Sequence, residues 1–169
     1  MNQLRAHAGF TLLEVLVTVV ILSLGMLGVA GVLLLVHKNN ASSYMEQQAV
    51  QQAYDILDRM RANRSAALQG LYDGATTPST TPSAPANNCS SGACTPQQMA
   101  KYDLWQWQTD LANVLPAAAS SISTTTPAGV SSANQDVQVT VALHWSDAPA
   151  LQALKQTVKP ASYTLTTVL

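Results

Sequence analysis

The sequence predicts an α+β fold: a long N-terminal helix, apolar in its first half and amphipathic in its second, packed on a small antiparallel sheet, with one additional short helix. Three patterns carry this expectation. Residues 15–36 are an apolar run without a charge, residues 45–68 repeat apolar positions near every 3.6, and residues 136–145 alternate apolar and polar side chains. The chain has 169 residues, and the part after Val36 suffices for one compact domain but not comfortably for two. Charged residues make up 10%, with eight Lys or Arg against nine Asp or Glu and a net charge of −1, so no electrostatic footprint for nucleic acid is expected.

A helix through the run from Val15 to Val36 is long enough to cross a bilayer core. Arg5, helped by the amine and His7, precedes it and Lys38 follows it, so the positive-inside bias places the first residues in the cytoplasm and exports the rest. A cleaved secretory signal fits poorly. Its apolar region spans roughly 7 to 15 residues, whereas here the run is longer and the nearest small-residue site, Gly28 to Ala30, lies inside it. A plain anchor fits the length but leaves Glu14 unexplained. An ionised acid costs on the order of 3 kcal/mol at a helix centre, less near the interface, and is usually paired. No Lys or Arg lies between Arg5 and Lys38.

The stretch "GFTLLEVLVTVVIL", from Gly9, resembles the class III signal and first helix of type IV pilins and their relatives in type II secretion. A short basic leader ends in Gly, followed by Phe, Thr, Leu, a fifth residue Glu and an apolar run. The resemblance implies that a prepilin peptidase cuts between Gly9 and Phe10 on the cytoplasmic side and methylates the new amine of Phe10. It divides the chain into a removed leader, residues 1–9, a transmembrane and assembly half of the helix, residues 10–36, and a periplasmic globular head, residues 37–169, which includes the second half of the helix. Cleavage supplies the missing cation, because an α-amine with a pKa near 8 is largely protonated at neutral pH. Phe10 and Glu14 are four apart and share a helix face. A pair at ~4 Å in an effective dielectric near 20 attracts by about 4 kcal/mol before desolvation is subtracted. The resemblance makes the partner amine that of a neighbouring subunit, so the pair sets the register at which a helix joins a filament.

Gly25, Gly28 and Gly31 thin one side of the apolar helix, which suits close helix approach and is also ordinary for membrane helices. Relatives that build the pilus shaft commonly carry a proline in this region; here none falls between Met1 and Thr77. From His37 to about Leu68 there is no Pro or Gly, and Met45, Ala49, Ala53, Ile56, Met60, Ala67 and Leu68, widened by Val50 and Leu57, form the amphipathic stripe. Asp55 with Arg59 and Asp58 with Arg61 stand at ion-pair spacings on a face expected to be solvated. The segment "AYDILDRMRANRSA", residues 53–66, resembles the "DRMRAN" stretch of PilV-type minor pilins, the low-abundance subunits that help initiate type IV pili. Arg59, Arg61 and Asn63 are candidates either for contact with another minor pilin or for packing within the domain.

After Leu71 the chain turns Pro-, Ser- and Thr-rich and reads as an ordinary surface loop, with a sugar-bearing stretch as the alternative. Cys89 and Cys94 close its end. In an exported domain they are expected as a disulfide, since a zinc site would need further ligands and no second pair or nearby His supplies them. Thr95, Pro96 and Gln98 spell a capping box with Pro at the first helical position. Ala100, Leu104, Trp107, Leu111 and Val114 then form a stripe that Pro116 ends. Trp107 is expected in the core, and Trp105, near Tyr102, at its margin or in an exposed contact. The segment "YDLWQWQTDLANVLP" again resembles the PilV-type middle region. Residues 117–135 read as a second loop. In residues 136–145, Val137, Val139, Val141, Leu143 and Trp145 point to one face, and "SYTLTTVL" pairs with them antiparallel. A third strand has "ALKQTV" as its candidate.

Enzyme chemistry finds little footing. His7, His37 and His144 fall in different regions, no metal-ligand set is indicated and no nucleotide or hydrolase motif occurs, so no catalytic residue and no cofactor is expected. Asp103 and Asp110, seven apart on one helix, read as exposed solubilising charges. Three functions remain: a minor pilin of a type IV pilus, with other minor pilins, pilus subunits, the prepilin peptidase and the inner membrane as partners, supporting twitching motility and adhesion in a Gram-negative bacterium; a type II secretion pseudopilin; or a membrane-anchored exported domain with its own binding or enzymatic activity.

Overall fold

The computed structural model describes residues 11–78, 80–126, 136–146 and 160–169. The chain separates into two compact units, residues 1–40 and 41–169. The elements are α1 (Leu12–Ala62), α2 (Arg64–Ala67), β1 (Gly74–Ala75), α3 (Pro96–Val114), β2 (Ala119–Thr125), β3 (Gln138–Trp145) and β4 (Ala161–Val168). The class is α+β, as the sequence predicts.

In the first unit α1 contributes Leu12–Leu34, 23 residues long and apolar enough to cross a membrane. Its only hydroxyls serve the helix itself: Thr18 Oγ1 donates to the Val15 carbonyl oxygen and Ser23 Oγ to that of Val20, both at 2.8 Å. Such back-bonding leaves no unpartnered hydroxyl on an apolar surface.

In the second unit the predicted stripe is the buried face of α1: Ala49, Ala53, Ile56, Leu57 and Met60 are fully buried, with Met45 packed beside them. The helix ends earlier than its stripe implies. Asn63 leaves the helical region at φ −114° and ψ 49°, and the last turn, α2, restarts after it and buries Ala66 and Ala67. Asn competes for backbone groups through its side chain, and here that side chain is spent on tertiary partners instead of the helix. Gly70, at φ 68°, turns the chain out of α2 in the left-handed conformation glycine adopts freely.

The capping box at the start of α3 is formed. Gln98 N donates to Thr95 Oγ1 at 3.3 Å and Thr95 N donates to Gln98 Oε1 at 2.9 Å. Ala100, Trp107 and Leu111 are buried and Leu104 and Val114 pack against them. Trp107 donates through Nε1 to the Gln52 carbonyl oxygen of α1 at 2.9 Å, which ties α3 to that helix.

The sheet runs in the order β1-β2-β3-β4, every pair antiparallel. The alternation read over residues 136–145 is realised, with Val137 just before β3 and Val139, Val141, Leu143 and Trp145 within it buried, and β4 pairs with β3 as expected. Ile122, Val141 and Leu165 stand in one cross-strand row of the inner face. Two further strands differ from the sequence reading. Residues 119–125, expected within a loop, are β2, and residues 74–75 add β1. Residues 153–158, the candidate third strand, lie outside the described residues.

Candidate functional site

Glu14 lies in the first turn of α1. The turn is capped by Thr11, whose Oγ1 and carbonyl oxygen accept from Glu14 N at 3.2 and 3.1 Å. A carboxylate in that position meets the positive end of the helix dipole. Among the described residues no ion pair engages it. Gly9 and Phe10, the expected cleavage and methylation positions and the expected partner of Glu14, lie outside the described residues.

Beyond Glu14 the apolar side chains are open. Leu12 is 89% exposed, Leu16 65%, Met26 70% and Leu34 64%, and none of the span Leu12–Leu34 is buried. A Cβ placed on Gly25, Gly28 or Gly31 would meet nothing within 4 Å, so this side of the helix has room for another backbone. A continuous apolar surface of this extent marks a membrane or protein contact rather than a water-facing helix.

The second unit gathers the other candidates, in two ways. Arg59 and Asn63 point into the fold. Arg59 Nε donates to Asp55 Oδ2 at 2.9 Å and its Nη1 to Gln106 Oε1 at 2.9 Å, and Nη1 lies 3.7 Å from Asp103 Oδ1. Asn63 Nδ2 donates to the Pro96 carbonyl oxygen at 2.8 Å and to Tyr72 Oη at 3.1 Å. Arg61 stays on the surface, bound to Asp58 Oδ1 at 2.8 Å with both side chains well exposed. Trp105 is half-buried and its ring stacks at a tilt on Tyr102, with centroids 5.5 Å apart. Cys89 and Cys94 are bonded as a disulfide, Cα to Cα 5.6 Å.

Asp103 overturns its sequence reading. It is buried, 9% exposed, and accepts from Tyr72 Oη at 2.6 Å. Burial, and after it the hydrogen bond to Asp103, pushes the Tyr72 phenol well above its ordinary value. Asp110 is half-buried. A signal for Asp103 was present: it stands between Ala100 and Trp107 at 3 and 4 spacing, a buried position of the stripe. A charge there needs partners from other elements, and Tyr72 and Arg59 supply them. Among the described residues, no three His, Cys, Asp or Glu side chains gather as a metal site.

Two comparisons with protein families bear on this arrangement. Residues 38–105 match the family model described as type IV pilin Tt1218, and residues 4–30 match that of the prokaryotic N-terminal methylation motif. The second match contains Gly9, Phe10 and Glu14; the first contains the α1 stripe, the disulfide and the start of α3. Neither the curated proteins nor the solved structures gave a match.

Proposed function

Since the chain is a type IV pilin with a class III leader and an α+β type IV pilin fold, we propose that it is a minor pilin of the PilV type that enters a priming assembly with other minor pilins and so supports pilus initiation, twitching motility and adhesion. Type IV pilins are structural subunits of a pilus or pseudopilus, and a leader of this class makes the chain a partner of a prepilin peptidase and of other pilins. The observation that carries the assembly reading is the exposed apolar span Leu12–Leu34 with a carboxylate in its first turn. Cleavage after Gly9 would place the amine of Phe10 one turn before Glu14, and a neighbouring subunit's amine would neutralise that acid as the helices pack. The head would stand in the periplasm before assembly and in the pilus after it.

The minor-subunit reading is supported by the absence of proline from α1 and by the DRMRAN stretch at residues 58–63. Glu14→Val tests the reading. The variant should insert into the membrane and be cut as the parent is, yet fall at least about tenfold in sheared filaments, since losing ~1.4 kcal/mol of incorporation free energy already gives that factor. Undiminished incorporation would contradict the role given to Glu14. Deletion of the gene separates pilus from pseudopilus: loss of pili with intact protein secretion fits the proposal, whereas loss of secretion with intact pili assigns the chain to a type II secretion system.

A further inference from the structure

The disulfide stands directly before a helix start. Cys94 is followed by Thr95, the cap of α3, and two amides of the first turn are tied to that residue: Gln98 N to Oγ1 at 3.3 Å and Met99 N to the carbonyl oxygen at 2.9 Å. Pro96, one residue further, presents its carbonyl oxygen to Asn63 Nδ2 at 2.8 Å. The same amide group donates to Tyr72 Oη at 3.1 Å, Tyr72 donates to Asp103 Oδ2 at 2.6 Å, and Asp103 Oδ1 faces Arg59 Nη1 at 3.7 Å. A covalent clamp therefore sits at one end of a continuous polar chain. That chain joins the start of α3, the break after α1, the buried Tyr72 and the middle of α3. Tyr72 is fully buried and Asp103 nearly so, so a partner lost at the Pro96 end is not simply replaced by bulk water.

We propose that the Cys89–Cys94 bridge is a redox latch for the packing of α3 against the end of α1. Oxidised, it holds Thr95 and Pro96 where Asn63 reaches them; reduced, it frees the first turn of α3 and weakens the chain through Tyr72 to Asp103. Closure is thiol–disulfide exchange with an oxidant carrying a disulfide. The thiolate of one cysteine attacks a sulfur of that disulfide and expels a thiolate, and the second cysteine resolves the mixed disulfide. Two electrons and two protons leave the cysteine pair and appear on the oxidant as a dithiol. Resting on the export reading, the consequence is that the second unit completes its packing only after leaving the reducing cytoplasm.

Hydrogen exchange on the full chain in detergent, with and without a thiol reductant, tests the latch and is independent of filament formation. Reduction should speed exchange of the Gln98 and Met99 amides by about tenfold or more while leaving β3 and β4 unchanged, as a local opening does. Asn63→Ala, left oxidised, should raise exchange at the same amides, and its reduction should add less than about twofold, because the two changes act on one network. Acceleration confined to residues before Cys94 would overturn the proposal, as would uniform acceleration across the sheet or fully multiplicative effects of reduction and Asn63→Ala.

Discussion

At the scale of single residues, the second unit turns on a few polar side chains whose partners come from distant parts of the chain. Tyr72 is held between Asn63 and Asp103, and its hydroxyl is both acceptor and donor. Tyr72→Phe leaves a buried carboxylate oxygen without its donor, and chemical denaturation should report a loss of about 1–3 kcal/mol. The phenol also predicts a pH dependence. Its folded value is raised above the unfolded one, near 10, so its contribution is fully present below about pH 10 and is lost as pH rises above that toward the folded value. Unfolding free energies should therefore fall above about pH 10 in the parent, and that part of the fall should vanish in Tyr72→Phe. Little of this network was legible in advance. The local pairs Asp55 with Arg59 and Asp58 with Arg61 were, because helix spacing alone determines them. Asp103 was not, since its partners lie on other elements and only its place in the stripe betrayed its burial.

At the scale of elements, legibility followed the strength of the local pattern. The capping box of α3 and the alternation of β3 are written within a few residues and appear in the fold as read. Thr95→Ala removes the side chain that holds Gln98 N, and a loss of ~1 kcal/mol in unfolding free energy is expected, with Thr95→Ser close to the parent. By contrast β2 was read as loop for a physical reason. Its inward positions are Ser120 and Ile122, and the buried serine breaks the apolar alternation. Ser120 is tolerated there because its Oγ lies 2.9 Å from Thr76 Oγ1 and its amide donates to that same oxygen at 3.0 Å, partners supplied by the chain just after β1. The end of α1 was overrun for a similar reason. The apolar stripe continues through Ala67, while the break at Asn63 comes from tertiary hydrogen bonds that periodicity does not encode.

At the scale of the molecule, the two units answer to different environments. The second has its own core, built from α1, α3 and the sheet, whereas the first presents Leu12–Leu34 without burying any of it. A helix that is apolar all round is stable only in a lipid or protein surrounding, and a carboxylate in its first turn asks for a cation within that surrounding. Membership of the type IV pilins with a class III leader gives both demands one answer, a membrane anchor that becomes an assembly surface. The central proposal is that a cut after Gly9 adds the amine of Phe10 beside this surface, which then operates in a filament beside other subunits. Mass spectrometry of the chain recovered from sheared, purified pili tests it most directly. The account predicts a subunit that begins at Phe10 with a methylated amine and keeps its Cys89–Cys94 bridge. A chain found in the membrane with residues 1–9 still attached, and missing from the filaments, would contradict it.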